Sequence, residues 1–165
     1  MEGKKMKKLI SIVFVLLLII FYSSQSYSQS VEQTLNSAAA NYNIGNYENA
    51  IELFTDVLSR CDVYDAQAYY GRGLAYDKLE DFDSAIKNYS YAIEINSNYW
   101  KAFYNRGCVY FDLKKYELAI KDFSKAIEIN PNESGAYLIR GHAKIKLGKI
   151  EDGYRDIRKS YKINS

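Results

Sequence analysis

The sequence predicts an all-α fold built from four consecutive helix pairs. Three observations lead to this prediction: similar residues recur every 34 positions, the chain has one proline in 165 residues, and 48% of its residues are hydrophobic. The near absence of proline favours long helices, because a proline ring clashes with the preceding helical turn. A fixed period of this length is typical of stacked repeats that each contact only their neighbours.

The 34-residue period is clearest in the middle of the chain, where large residues, glycine and alanine match at eight positions. Tyr69, Gly73, Tyr76, Phe82, Ala85, Ile86, Tyr89 and Ala92 correspond to Phe103, Gly107, Tyr110, Tyr116, Ala119, Ile120, Phe123 and Ala126. The same offset forward reaches Tyr137, Gly141, Ile150 and Ile157, and a step back of 34 or 35 residues reaches Tyr47, Ala50, Ile51, Phe54 and Val57. The chain therefore holds two regular units between two less regular ones.

Residues 1–28 have the three-part layout of a secretory signal peptide. Met1–Lys8 is basic, Leu9–Tyr22 is almost uninterrupted apolar sequence, and Ser23–Ser28 is small and polar. The apolar run would form a helix of about 21 Å, which is shorter than the roughly 30 Å hydrocarbon core of a bilayer. We therefore predict cleavage before Gln29 and a periplasmic or secreted protein. The alternative is an uncleaved membrane anchor formed by residues 9–22.

The charge of the remaining chain argues against one class of partner. Four of the 22 basic residues and one of the 20 acidic residues precede residue 29, which leaves 18 basic and 19 acidic residues. Nucleic-acid-binding proteins normally carry a basic face or stripe. We expect no nucleic acid as partner, and contact with a membrane only through an uncleaved N-terminal segment.

The most regular unit has an aromatic-rich start followed by spaced large and small residues. It reads Ala102-Phe103-Tyr104-Asn105-Arg106-Gly107, then Tyr110, Tyr116, Ala119, Phe123, Ala126 and Pro131. This pattern closely resembles the tetratricopeptide repeat, a 34-residue helix-turn-helix unit. The resemblance covers about residues 31–165 and implies that the domain 29–165 is a right-handed superhelical solenoid of eight antiparallel-paired helices. Its four repeats are placed at 31–65, 66–99, 100–133 and 134–165.

Small residues are predicted to bring the two helices of each repeat together. Gly73, Gly107 and Gly141 lie inside first helices, where glycine costs about 1 kcal/mol relative to alanine. A close approach of the second helix offsets this cost. The small residues that would permit this approach on the second helices are Ala50, Ala85 and Ala119.

Polar residues at the predicted helix ends suggest specific caps. Asn96, Asn130 and Asn164 each close a second helix, and we predict left-handed caps there because asparagine tolerates that conformation. Asp65 and Asn132 are predicted to cap the starts of the helices that follow them.

An arginine recurs immediately before each of the three glycines, at a position that is apolar in the usual repeat. Arg72, Arg106 and Arg140 are followed sixteen residues later by Asn88, Asp122 and Asp156, whereas the first unit has Ser37 and Leu53 at these two positions. An interface disfavours an unpaired charge, so we predict a structural pair between each arginine and its acid or amide. The alternative is an arginine ladder that grips an acidic ligand.

The resemblance also implies a concave ligand groove lined by the first helices. The positions that it assigns to the groove are mostly apolar or aromatic: Leu35, Tyr42, Tyr70, Leu74, Lys101, Tyr104, Cys108, Phe111, Leu138 and His142, with Ala39, Asp77 and Ile145 at equivalent positions. Many chaperone-binding members hold a C-terminal carboxylate with a clamp of lysines and asparagines. Leu35 and Ala39 occupy the first two clamp positions here, so only Lys101 and Asn105 match and the clamp activity is not inferred.

The sequence offers little for catalysis, and we expect no enzyme activity, no metal and no cofactor. His142 is the one histidine, and its pairing with Cys108 in the preceding repeat lacks an orienting group and an oxyanion donor. Cys61 and Cys108 are separated by two helices in the repeat frame, beyond the roughly 7 Å Cα separation that a disulfide allows. We predict that both cysteines are unpaired.

These observations predict an interaction scaffold that holds a protein or peptide segment in an aromatic-rich groove. Such a groove suits the burial of side chains from an extended or helical segment. The alternative is a structural self-assembling element that forms a homo-oligomer through its last helix, because Tyr154, Ile157, Tyr161 and Ile163 follow one another there without a capping helix.

Overall fold

The computed structural model describes residues 2–60 and 65–164, and the surroundings of side chains from residue 13 onward. These residues form eight helices and contain no strand. The helices are α1 (Glu2–Asn43), α2 (Tyr47–Arg60), α3 (Ala66–Lys78), α4 (Phe82–Ile95), α5 (Trp100–Asp112), α6 (Tyr116–Ile129), α7 (Ser134–Lys146) and α8 (Ile150–Ile163).

Helices that follow one another along the chain pack side by side. The first helix of each pair also touches the first helix of the next pair, so that α1, α3, α5 and α7 form one continuous layer. The second helices α2, α4, α6 and α8 cover the other side of each pair. This arrangement confirms the predicted all-α solenoid of four helix pairs.

Helix α1 combines the predicted signal segment with the first helix of the first repeat. Its C-terminal part packs on α2 through Val31, Leu35, Ala38 and Tyr42. Between residues 13 and 22 the side chains are exposed, and the helix continues through the predicted cleavage position. No helix in the described residues is long and apolar enough to be a candidate membrane span.

The turn inside each repeat contains one residue in the left-handed region. Gly45 and Gly148 have φ of 83° and 77°, and Glu80 and Lys114 at the equivalent positions both have φ of 59°. The predicted left-handed asparagine caps are wrong: Asn96, Asn130 and Asn164 have φ of −130°, −126° and −92°. The left-handed residue is needed inside the repeat, where the chain reverses most sharply, and the connection between repeats is made by extended residues.

Only one of the two predicted N-terminal caps is present. Asp65 accepts hydrogen bonds from the backbone N–H groups of Gln67 and Ala68, at 2.7 and 3.2 Å, as predicted. The cap of α7 is Glu133, whose carboxylate accepts from the N–H of Gly135. The prediction for Asn132 is therefore wrong by one residue.

The glycines of the first helices permit close packing, but mainly against large side chains. A Cβ atom on Gly73 would lie 2.8 Å from the ring of Tyr89, and one on Gly107 would lie 3.0 Å from the ring of Phe123. The alanines Ala50, Ala85 and Ala119 are fully buried, yet they do not supply the nearest contact to these glycines. The predicted alanine-to-glycine approach is replaced by a ring that crosses the glycine, because a fully buried ring fills more of the space between the helices.

Candidate functional site

Each repeated arginine bonds the partner predicted sixteen residues later. The Arg106 guanidinium donates from Nε and Nη2 to the two oxygens of Asp122, at 2.7 and 2.9 Å. Arg140 makes the same two-bond contact with Asp156, at 2.7 and 2.8 Å. Arg72 donates from Nε to Oδ1 of Asn88 at 2.8 Å. The acids and the amide are buried, so these arginines are part of the packing between α3 and α4, α5 and α6, and α7 and α8.

Hydroxyl side chains that were not predicted from the sequence link each arginine to the preceding repeat. The Nη1 atom of Arg72 donates to the hydroxyl of Thr55, that of Arg106 to Ser90, and that of Arg140 to Ser124, at 3.0, 2.8 and 3.0 Å. These hydroxyl residues recur at intervals of 35 and 34 positions, which is the signal that could have identified them. Each arginine thus joins its own helix pair to the one before it.

Aromatic rings cover the guanidinium groups from the same helices. The guanidinium carbon of Arg72 lies 5.4 Å from the ring centre of Tyr69, and that of Arg140 lies 5.5 Å from the ring centre of Tyr137. Burial alone would lower the pKa of the Arg106 guanidinium. The hydrogen bonds to Asp122 outweigh this effect, so the pKa is raised. The guanidinium groups therefore make their hydrogen bonds and ring contacts with other residues of the solenoid.

The last pair adds a second cation to its buried acid. The Lys144 ammonium donates to Oδ2 of Asp156 at 2.7 Å, beside the Arg140 contact. Burial opposes ionisation of Asp156, but the bonds from Arg140 and Lys144 outweigh it and lower its pKa. The position that is tyrosine in the two preceding units therefore supplies an ion pair at the C-terminal end of the solenoid.

The layer formed by α1, α3 and α5 contains an apolar cavity of about 320 Å³. Six of the predicted or equivalent groove residues meet there: Leu35, Ala39, Tyr42, Tyr70, Leu74 and Lys101. The wall is completed by residues that were not predicted, Asn43, Phe54, Gln67, Gly71 and Tyr99. Six residues of the predicted groove therefore share one cavity, which spans the first two repeats and the beginning of the third.

A second cavity of about 290 Å³ extends the groove towards α7. It shares Tyr70 and Lys101 with the first cavity and adds Tyr104 and Asn105 from α5, with Trp100 and Glu133 at its edge. Asn105 donates from its amide to the Tyr70 hydroxyl at 2.8 Å. This bond fixes the Tyr70 ring between the two cavities.

The tyrosine hydroxyls of the groove are neutral hydrogen-bonding groups. Burial, together with the neighbouring Tyr99, raises the pKa of Tyr70 to about 12. Burial also raises the pKa of Tyr104 to about 12, with a contribution from the nearby Cys108. A surface of this kind offers large apolar rings with polar tips, which suits the capture of a backbone and its apolar side chains.

Four residues that were predicted to line the groove lie outside the two cavities. Phe111 packs edge-on against Tyr116, at 5.5 Å between ring centres, and Cys108 packs on the core of α6. Leu138 is half-buried and His142 is exposed, and neither lines the two cavities described above. The described groove is thus centred on α3 and α5.

Cys108, which the sequence places in the repeat next to that of His142, lacks a reactive thiolate. Burial raises the pKa of the Cys108 thiol to about 12, which keeps it protonated at neutral pH. Cys108 is a free cysteine, whereas Cys61 lies outside the described residues. The described residues contain no cluster of three or more side chains suited to a metal ion.

Comparison with known proteins identifies the repeat. A family model described as "Tetratricopeptide repeat" matches residues 66–99 and 100–133, which are the two central units. A search of curated protein sequences finds no match.

Solved structures share the fold over most of the chain. A crystal structure of MamA superimposes with a TM-score of 0.77 at 28% identity, covering 81% of this chain and 78% of that one. A MamA fragment from Desulfovibrio magneticus RS-1 gives a TM-score of 0.74 at 22% identity, covering 81% of this chain and 75% of that one. The first repeat domain of Spaghetti (RPAP3), bound to the HSP90 peptide SRMEEVD, superimposes with a TM-score of 0.69 at 28% identity. The match covers 73% of this chain and 94% of that one.

Proposed function

We propose that this chain, whose residues 66–133 are two tetratricopeptide repeats, is a non-catalytic scaffold that holds a segment of another protein in its concave groove. The observation that carries the proposal is the apolar, tyrosine-rich cavity across α1, α3 and α5. Cavities of about 300 Å³ or more are large enough to bury several side chains of a bound ligand. The similar repeat domain of Spaghetti is itself bound to a peptide, which supports this type of ligand.

The proposal does not extend to the carboxylate clamp of chaperone-binding relatives. Lys101 and Asn105 stand at two clamp positions, but Asn105 already donates its amide to Tyr70. Leu35 and Ala39 at the other two positions add apolar surface to the cavity. We infer that apolar and aromatic contacts, and not a terminal carboxylate, provide most of the affinity.

We also propose that the scaffold acts after export, in the periplasm or outside the cell. The basic, apolar and small polar sections of residues 1–28 support this part of the proposal. An uncleaved anchor through residues 9–22 is the alternative, and it would place the same groove at a membrane surface.

The groove is tested with a random twelve-residue peptide library displayed on phage and selected against the full chain. We expect Tyr104→Ala to weaken the selected peptides by about tenfold or more, because aromatic residues in the centre of an interface typically contribute at least 1.4 kcal/mol. Lys101→Ala removes the Lys101 stem from the lining of both cavities, and it is expected to weaken peptide binding without disturbing the core because Lys101 is exposed.

Tyr91→Ala is the matched control, because Tyr91 is exposed on α4, in the layer of second helices and away from the groove. Circular dichroism establishes that each variant is folded. Peptides that bind Tyr104→Ala, Lys101→Ala and the unchanged chain equally well place the binding surface elsewhere.

A second candidate function, self-assembly through α8, is favoured by exposed apolar side chains on that helix. Ile150, Tyr154 and Tyr161 are 46%, 55% and 68% exposed. If these residues join two copies, light scattering at micromolar concentration gives at least twice the mass of the 19.0 kDa chain, and Tyr161→Glu restores the monomer. A monomeric unchanged chain contradicts this candidate.

A further inference from the structure

Asp77 is a half-buried carboxylate on α3, three residues after Leu74, and it borders the groove without being among the residues that line the two cavities. Asp77 lies on α3 four and seven residues beyond Gly73 and Tyr70, on the helix face that carries Leu74. It is close enough to Tyr42 on α1, and to Cys108 on α5, to influence the ionisation of both. Asp77 therefore lies in the layer of helices that forms the groove.

The described part of the chain gives this carboxylate no ion-pair partner. The acids with a cation within 4.0 Å are Asp56, Asp122, Glu128, Asp152 and Asp156. Burial raises the pKa of Asp77, and the neighbouring Asp112 carboxylate adds to this effect, while the adjacent Lys78 opposes it only in part. The charge of Asp77 is thus incompletely compensated.

A buried hydroxyl beneath the carboxylate is also without a full partner. Tyr89 is completely buried on α4, and its hydroxyl forms no hydrogen bond of normal geometry within the described residues. It approaches Asp77 closely enough to lower the pKa of that carboxyl in part. A buried polar atom in this state normally signals strain, an unseen ligand or a functional role.

These three features select a class of ligand. Lys101 lines both cavities, but it lies eleven residues before Asp112 on α5, about three helical turns away. Near Asp77 an anion is therefore repelled by Asp77 and Asp112, and a neutral apolar side chain leaves the Asp77 charge uncompensated. A calcium ion requires six to eight oxygen ligands, more than these two carboxylates supply. A lysine ammonium or an arginine guanidinium matches the charge, and its stem would lie along the rings of Tyr42 and Tyr70.

We propose that the groove receives a lysine or arginine side chain of the bound segment at Asp77, with Asp112 adding attraction at the rim. This inference rests on the proposed function, because the cation belongs to the segment held in the groove. The bound cation compensates the carboxylate, and the carboxylate in turn accepts from the Tyr89 hydroxyl. This site would prefer a cationic group of the ligand, whereas a carboxylate clamp prefers an anionic one.

An unoccupied site of this kind lowers the stability of the free protein. A carboxyl whose pKa is raised by folding binds its proton more tightly in the folded state, so stability is lost as the pH rises through that raised pKa. Asp77→Asn removes this loss at neutral pH. We expect the melting temperature of the free chain to rise.

The test uses two fluorescein-labelled peptides, acetyl-(Leu-Lys)6-amide and acetyl-(Leu-Glu)6-amide, titrated into the full chain by fluorescence anisotropy. We expect the lysine peptide to bind at least about tenfold more tightly than the glutamate peptide, and Asp77→Asn to remove about tenfold of its affinity. Glu52→Gln is the charge-matched control, because Glu52 is exposed on α2 outside the groove. It is expected to change neither affinity.

The outcomes separate this inference from the proposed function. If both peptides bind equally, Tyr104→Ala weakens both, and Asp77→Asn weakens neither, the groove is correct and the cation preference is wrong. If neither peptide binds the chain while phage-selected peptides bind the groove, the cation preference is wrong and the proposed function stands. If phage selection also yields no peptide that depends on the groove, both proposals fail. A melting temperature that falls in Asp77→Asn also overturns the inference, because it shows that the carboxylate is already satisfied in the free protein.

Discussion

Replacing Asp122 with alanine is expected to lower the free energy of unfolding by about 3 kcal/mol or more. The Asp122 side chain is 4% exposed and accepts two bonds from Arg106, whose own side chain is 18% exposed. Removal of the acid leaves a guanidinium between α5 and α6 with the single remaining bond to Ser90. The cost is large because the stranded charge stays buried, not because the ion pair itself is very favourable.

Urea unfolding followed by circular dichroism measures this effect against a matched control on the same helix. Lys125 and Glu128 also form an ion pair on α6, at 2.7 Å, but their side chains are 51% and 66% exposed. Glu128→Ala is expected to cost less than about 1 kcal/mol. Equal losses for Asp122→Ala and Glu128→Ala would contradict a buried structural pair.

A double variant separates the penalty of an unpaired charge from the value of the pair. Arg106→Met combined with Asp122→Leu removes both charges and keeps the approximate volume, so it is expected to recover much of the stability lost in Asp122→Ala. The hydroxyl of Ser90 then loses its arginine partner, which limits the recovery. This cycle also tests whether the arginines act within the solenoid, because a ligand-binding ladder would not require the acid for stability.

The arginine pairs could be predicted from sequence because the spacing of sixteen residues is fixed by two antiparallel helices of one repeat. The contacts to Thr55, Ser90 and Ser124 cross from one repeat to the next, and their positions depend on how neighbouring repeats stack. The recurrence of hydroxyl residues was visible, but many exposed positions also recur. Only the geometry distinguishes a linking hydroxyl from a solvated one.

The groove was predictable in outline for a similar reason. Tyr70 and Leu74 lie one turn apart on α3, and helical periodicity places them on one face. Tyr99 and Phe54 reach the same cavity from an inter-repeat connection and from α2, which periodicity within the first helices does not show. Left-handed turns at Glu80 and Lys114 were missed because neither residue type favours that conformation; the repeat geometry imposes it.

The close packing of the last helix pair gives the second large prediction, for Gly141→Ala. A Cβ atom on Gly141 would lie 2.7 Å from the backbone oxygen of Gly153 and 2.8 Å from the side chain of Ile157. The first three pairs have alanine where α8 has Gly153, so α7 and α8 approach through two glycines. A backbone oxygen cannot turn away as a side chain can, and the two helices must separate to accept the methyl group.

We expect Gly141→Ala to lower the free energy of unfolding by about 2 kcal/mol, since overpacking of up to about 3 kcal/mol exceeds the roughly 1 kcal/mol gained in helix propensity. Thermal and urea unfolding measure the loss. Gly135→Ala on the same helix is the control, because its added Cβ would meet the ends of the Tyr104 and Glu133 side chains, at 2.9 and 3.1 Å. Those atoms can move, so Gly135→Ala is expected to lower the free energy of unfolding much less. A smaller loss of stability for Gly141→Ala than for Gly135→Ala would show that α7 and α8 are not held together by their facing glycines.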